Sequence, residues 1–332
     1  MEFFETFFAG DFLGKPVWAW TLFLAIVVTV LAFDLGVFHR KAHVISFRES
    51  MIQSSVYVVI ALAVGAFVWS SYGAERGMNW LTAYLVEYTL ALDNIFVIAL
   101  IFTYFAVPRE FQHRVLFWGI LGVIVLRAIM ITLGAAIVTE FHWVLYIFGA
   151  FLVLTGVKML WLVDHKPDIA NNPVLIFLKK HIRVTDKLHG EKFFVKMPDT
   201  KTGRVVAHAT PLFLALCVIE FADIIFAVDS VPAVFLITTD PFIVYTSNIF
   251  AILGLRSMYF MLAAAVERFA YLKYGLSLVL VLIGVKIIWN FGLSKELGWL
   301  PYLEPQWALL ATLGLIGGAI VYSLYRTRKL PH

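Results

Sequence analysis

Six carboxylates stand inside stretches that are otherwise apolar, and most fall into two groups of similar layout. EYTLALDN at 87–94 carries Glu87, Asp93 and Asn94, and EFADIIFAVDS at 220–230 carries Glu220, Asp223, Asp229 and Ser230. Asp34, in FDLGVFHR, is the sixth acid. Four bases, Arg127, Lys158, Arg256 and Lys286, share these stretches, so two negative charges are left over. One divalent cation or two protons would balance them. Carboxylate, carboxamide, hydroxyl and carbonyl oxygens are hard donors, suited to Mg²⁺, Ca²⁺ and Mn²⁺. The nine His fall in loops or at the ends of apolar stretches and Cys217 stands alone, which disfavours a zinc or copper path.

Helical spacing sorts these groups. Glu220 and Asp223, three apart, share a face. Asp229 lies about 120° round from Asp223, and Asp93 the same from Glu87. A straight helix therefore does not aim every acid at one point. Pro232 removes a backbone donor and frees the carbonyl of Val228, so a break is expected over 228–231 that swings Asp229 and bares carbonyl oxygens beside it. Arg127 and Arg256 sit near the middle of their stretches and pair with acids. Lys158 and Lys286 lie nearer the ends and can snorkel. Asp34 is expected near an interface with Arg40 or Lys41. Ser247 and Asn248 are either supporting donors or interhelical glue. The rival to a cation site is a set of Asp–Arg bridges holding a bundle together, which suits Asp223 with Arg127 or Arg256 better than it suits the whole set.

The elements that position these groups follow from composition. The chain has 332 residues, 61% apolar and 14% charged, with a net charge of +4 and a mean hydropathy of +0.88. A soluble domain carries about a quarter charged residues, so the chain must lie largely in lipid. Its basic excess is a topology signal, not a nucleic-acid signal. About 20 apolar residues cross the hydrocarbon layer, and nine stretches qualify: about 16–38, 51–71, 79–106, 115–138, 142–163, 210–238, 241–265, 271–291 and 306–325. In lipid, each must satisfy its own backbone as a helix. Arg40, Lys41, Arg48, Arg109, Arg114, nine bases in 164–209, Arg268, Lys273, Arg326, Arg328 and Lys329 fall on one side; Lys15, Arg76 and Lys295 fall on the other. The N-terminus is therefore expected outside and the C-terminus in the cytoplasm. The acidic, aromatic start MEFFETFFAGDF lacks the features of a cleaved signal.

An internal repeat organises the spans. GVKMLW at 156–161 recurs as GVKIIW at 284–289, LR at 126–127 as LR at 255–256, and ALD at 91–93 as AVD at 227–229. Each unit holds three spans, 79–163 and 210–291, so the second is inverted relative to the first, as in many secondary transporters. The expected fold is thus all-α and polytopic, with about nine transmembrane helices and two inverted three-helix repeats. Residues 1–78 form an outer segment and two spans, 164–209 a basic cytoplasmic loop, and 292–332 the last span and a tail. Within the loop, Asn171-Asn172-Pro173 predicts a turn before a short helix near 174–182. The runs at 192–197 and 204–208 predict a hairpin. The loop is read as a solvated connector with a membrane-hugging basic face, the rival being a regulatory contact with a cation or lipid.

EYTLALDNIFV at 87–97 and FADIIFAVDSVPAVFLITTDPFIVYTSNIFAILGLRSMYF at 221–260 resemble the TerC family of integral membrane proteins. DLGVFHRKAH at 34–43 and HGEKFFVK at 189–196 are similar to its pattern too, and the resemblance runs from about 17 to 325, nearest the Alx-like branch. It implies a LysE-superfamily-type transporter that exports manganese, with Glu87, Asp93, Glu220, Asp223 and Asp229 carried over and Asn94 and Ser230 adjoining. The expectation is a multi-pass protein of the bacterial inner membrane that exchanges Mn²⁺ for protons. No tightly bound cofactor and no nucleic acid are expected, and lipid is the surrounding partner. Its rival is a membrane scaffold or biogenesis partner with structural acids. No Ser–His–Asp set, HExxH or Gly-rich phosphate loop points to an enzyme.

Overall fold

The computed structural model describes residues 10–33, 45–141, 143–161, 169–198, 205–263, 272–293, 301, 303 and 305–327. Eleven α-helices dominate them. In chain order they are α1 Val17–Phe33, α2 Phe47–Tyr72, α3 Ala74–Tyr104, α4 Arg109–Glu140, α5 Val144–Trp161, α6 Pro173–His181, α7 Pro211–Ile237, α8 Pro241–Leu253, α9 Leu255–Ala263, α10 Leu272–Ile287 and α11 Pro305–Thr327. A π-helical turn, Ile288–Leu293, extends α10. Two small antiparallel hairpins complete the fold: β1 Asp11–Phe12 with β2 Lys15–Pro16, and β3 Phe194–Pro198 with β4 Val205–Ala209.

A helix lies in each of the nine predicted stretches. Five of them, α2, α4, α5, α7 and most of α11, are long and apolar enough to cross a membrane. Their outward faces are apolar: Val59, Leu154 and Val321 are 65%, 69% and 68% exposed. In water such a surface would aggregate, and in lipid it is the solvated surface. The chain is an all-α polytopic membrane protein.

The helix ends are fixed by local chemistry. Ser46 caps α2 by accepting from the Glu49 amide at 3.2 Å. Gly73, at φ +94°, makes the whole link between α2 and α3, a backbone shape that suits glycine. The Asn171-Asn172-Pro173 turn is the N-cap of α6, where the Asn172 side chain accepts from the amides of Val174 and Leu175. The predicted hairpin also forms, and Ala209 at its end bonds back to Arg183 and Thr185. Arg114 ties this segment to the start of α4, through Glu191 at 3.0 Å and over the Phe193 ring.

The expected helix break is corrected. α7 runs unbroken from Pro211 to Ile237, straight through Pro232. One missing donor is a local loss, and a helix packed against α3, α4 and α5 keeps the rest of its ladder. The break falls instead in the seventh stretch, at Gly254, which divides α8 from α9. At about 1.5 Å per residue, the 13 residues of α8 rise about 20 Å, too short for a roughly 30 Å layer. Only α8 and α9 together have the required length.

The repeat takes a definite form in α5 and α10, which make the most extensive helix–helix contact. A Cβ at Gly156 would lie 2.7 Å from the Ser277 carbonyl oxygen, and one at Gly284 would lie 2.6 Å from that of Gly149. Gly156 and Gly284 are equivalent under the GVK repeat, and so are Gly149 and Ser277, each 128 residues apart. The contact is therefore reciprocal, with equivalent residues facing each other across an antiparallel pair, the relation that an inverted repeat produces.

Candidate functional site: a buried carboxylate–arginine cluster

Four helices, α3, α4, α7 and α8, pack against one another and bring their polar residues together. The node is Arg127 of α4, whose side chain is almost wholly buried. Its Nε donates to Asp223 Oδ2 at 3.3 Å and its Nη2 to Asp223 Oδ1 at 3.2 Å, a two-point grip on α7. Its Nη1 donates to Glu87 Oε1 on α3, to Ser230 Oγ at 2.9 Å and to Asn248 Oδ1 at 3.5 Å. Asn94 Nδ2 reaches Asp223 Oδ1 at 3.5 Å. One guanidinium thus binds residues from both halves of the repeat. Of the two bridging possibilities for Asp223, the structure takes Arg127. Arg256 is also buried, on α9 just past the Gly254 break.

Glu220, one turn before Asp223, faces the same neighbour, as the three-residue spacing requires. Its carboxylate lies over Gly119 and Gly122 of α4. A Cβ at Gly122 would be 2.6 Å from the Glu220 Cδ, so this glycine is a cradle for a carboxylate and not merely a point of close helix approach. Both Glu220 oxygens are buried without a hydrogen-bond partner among the described residues, and so is Glu87 Oε2. Beside them a cavity of about 20 Å³ is lined by Asn94, Gly119 and Asp223 among apolar side chains. That is room for about one water-sized occupant.

Of the expected site residues, Glu87, Asn94, Asp223, Ser230 and Arg127 therefore meet, and Glu220 lies alongside. Asp93 falls within α3 and Asp229 within α7, but their side chains lie outside the described residues, as does all of Asp34. Among the described side chains no three of His, Cys, Asp or Glu form a ready-made metal cage. Asn248 joins the cluster, whereas Ser247 donates to the Ile243 carbonyl of its own helix at 2.7 Å. Lys158 is exposed and Lys286 half-buried, as snorkelling side chains would be.

A second polar group, which no spacing in the sequence signals, gathers at one end of the bundle. Lys15 Nζ meets Asp240 Oδ2 at 2.9 Å and Arg76 Nε lies 3.7 Å from the same oxygen. In the sequence, Lys15 and Arg76 mark only one side of the bundle. Their meeting places both at one end, and Asp240 was the acid to look for beside them.

The chain matches the family described as integral membrane protein TerC over residues 72–330. It belongs to the TerC family. It is 49% identical over 314 residues to an uncharacterized membrane protein of Myxococcus xanthus, covering 94% of this chain and 93% of that one. It is 45% identical over 284 residues to the putative membrane-bound redox modulator Alx of Escherichia coli K12, covering 83% and 86%. A membrane protein of Rickettsia felis is 42% identical over 315 residues, covering 95% of this chain and all of that one. No solved structure matches.

Proposed function

We propose that this protein exports divalent cations, Mn²⁺ first among them, from the bacterial cytoplasm across the inner membrane, with its N-terminus outside. The observation that carries this reading is the surplus of buried acid. Arg127 answers Asp223 and one oxygen of Glu87, yet Glu220 and the second Glu87 oxygen are buried with no hydrogen-bond partner among the described residues. A mid-membrane charge costs at least about 2.5 kcal/mol, so an unpaired one needs a function. A dehydrated hard cation, or protons, would supply the missing charge at these oxygens. Moving a divalent ion outward against an inward-negative potential costs about 2.3 kcal/mol per charge per 100 mV. Exchange for two protons cancels that electrical term, and Glu220, free of the arginine, is the group best suited to carry one.

The scaffold reading draws on a different observation, the complete grip of Arg127 on Asp223, which is the form of a structural bridge. The redox role in the printed name of the Escherichia coli relative finds little support in the residues of this chain. With Cys217 as the sole cysteine, an intramolecular dithiol–disulfide couple is excluded.

The test is ion flux in proteoliposomes. Wild type would be compared with Asp223→Asn, Glu220→Gln, Asp93→Asn and Asp229→Asn, offered Mn²⁺, Mg²⁺, Ca²⁺ and Zn²⁺ with and without a pH gradient. Saturable, gradient-dependent Mn²⁺ flux that the substitutions abolish at undiminished folded yield is the expected result. Folded wild type that moves no ion would overturn the proposal in favour of the scaffold.

A further inference from the structure

Between α5 and α7 the described chain forms α6 and the β3–β4 hairpin, and both are fastened to the start of α7. α6 packs on α7, and its Leu175 is buried in the apolar cluster that holds Leu212 and Ala215 of the first turns of α7. The Thr210 amide donates to the Phe193 carbonyl at 2.9 Å and its hydroxyl to the Lys192 carbonyl at 2.7 Å. The Phe194 ring lies 4.5 Å from that of Phe213. α7 is apolar enough to span from Pro211 onward, so elements held against its first turns stand level with the edge of the hydrocarbon layer.

Each element also carries an exposed apolar face with lysines set into it. At about 100° per residue, Ile176, Phe177 and Lys180 fall on the side of α6 away from Leu175. Ile176 and Phe177 are 53% and 59% exposed, with Lys179 and Lys180 exposed beside them. In an antiparallel hairpin, directly opposed residues share a face. The pairs Phe194–Ala209, Lys196–Ala207 and Pro198–Val205 therefore put Phe194, Lys196 and Val205 on one side, and all three are exposed. Bare phenylalanine, isoleucine and valine are a liability in water. At a membrane surface the same pattern is favourable, because the apolar groups enter the acyl boundary while ammonium groups reach the headgroups.

We propose that α6 and the hairpin are a seat for anionic phospholipid, in the leaflet that α7 enters. Ile176, Phe177, Phe194 and Val205 dip into the acyl boundary, and Lys179, Lys180 and Lys196 meet the headgroup phosphates. Two observations commit the face to the bilayer. The Phe194–Phe213 contact joins it to a spanning helix, so it continues a surface that lipid already covers. The charge is complementary: residues 164–209 hold nine bases against five acids, and one of those acids, Glu191, is taken by Arg114. The seat also has a mechanical consequence. Arg114 ties the segment to the start of α4 and Thr210 ties it to the start of α7, so lipid contact steadies the two helices that carry Arg127 and Asp223. None of this depends on which ion the bundle moves.

The test places a nitroxide on the full-length protein in vesicles of phosphatidylcholine, alone or mixed with phosphatidylglycerol. Cys217, the sole cysteine, is first removed as Cys217→Ser, or as Cys217→Ala if the serine variant does not fold. Ile176→Cys and Val205→Cys then carry the label singly, both at exposed positions where the substitution leaves the buried contacts intact. In the mixed vesicles each label should be relaxed more by oxygen, which concentrates in lipid, than by a water-soluble nickel chelate. Each lysine is worth about fivefold at an anionic surface, so Lys179→Gln/Lys180→Gln should weaken seating about 25-fold and return the label at 176 to the chelate. Labels open to the chelate in both lipids would overturn the proposal and leave the face to a soluble partner. So would an oxygen preference that ignores phosphatidylglycerol, or spin–spin broadening that reveals a second copy on the face.

Discussion

Replacing Arg127 by Met keeps a side chain of similar reach and removes the one base bonded to Glu87 and Asp223 among the described residues. The native guanidinium makes two bonds to Asp223 and one each to Glu87, Ser230 and Asn248. Breaking a buried ion pair from one side costs about 3–5 kcal/mol, because a charge is left behind without compensation. Here two carboxylates are left, so the upper part of that range applies. For a chain of this length 1 kcal/mol moves Tm by about 2 °C, which puts the fall at about 8–10 °C. The same acids then become free to hold a cation. A ligand at 100 times its Kd that binds only the folded state contributes about 2.7 kcal/mol, so Mn²⁺ should restore roughly half the loss. The assay is thermal aggregation followed by size-exclusion chromatography in detergent, with and without Mn²⁺ at fixed ionic strength. Arg127→Met/Asp223→Asn should regain stability without Mn²⁺ and lose the response to it. A destabilised Arg127→Met that Mn²⁺ does not raise would refute the reasoning, since the acids would then be a structural network. An Arg127→Met that melts with wild type would refute the premise that the pair neutralises a buried charge.

Three further outcomes follow from contacts in the structure. Gly122→Ala meets only the carboxylate end of the Glu220 side chain, which can swing aside; folded yield should hold, while Mn²⁺ flux should fall because the carboxylate is moved from its place over α4. Gly156→Ala and Gly284→Ala each push a Cβ against a backbone carbonyl of the partner helix; each should cost about 1–3 kcal/mol by overpacking, seen as a similar loss of thermal stability, because the two contacts are equivalent. Asn94→Leu removes the weak bond to Asp223 at 3.5 Å; stability should change by about 1 kcal/mol or less, while flux, if Asn94 orients Asp223, should fall at least several-fold.

Apolar length and repetition were the legible parts of the fold. Nine stretches could be bounded because lipid demands about 20 apolar residues of each, and each holds a helix. The GVK pair, 128 residues apart in the sequence, reappears as the reciprocal glycine contacts of α5 and α10. The short loop helix and hairpin were legible too, since Asn-Pro caps and turn residues act locally. Breaks were not legible. Pro232 carries the strongest local signal for one, and yet α7 continues, because packing on three sides outweighs one lost donor. Gly254 carries a weak signal and ends α8. That outcome depends on how α8, buried along nearly its whole length, fits among α2, α3 and α4.

The site divides in the same way, between depth and direction. Depth can be counted along a span, so Asp93, Asp223, Arg127 and Arg256 stand out in the sequence as mid-span charges that need a reason. Direction depends on how each helix is rotated, and hydrophobic periodicity is faint when every face is apolar. Spacing alone therefore left Asp223 free to choose Arg127 or Arg256. The choice the structure makes changes the chemistry. With Arg127 committed to Asp223 and one oxygen of Glu87, the carboxyl group without a partner among the described residues is that of Glu220, over the cradle of Gly119 and Gly122 and close to the small cavity. A bundle built only for stability gains nothing from a glycine that makes room for an unpaired carboxylate, since alanine there and a smaller apolar residue at 220 would pack more tightly. A bundle that must exchange one positive charge for another needs such a place. It also needs Arg127 close by, to hold the acids together while the exchange takes place.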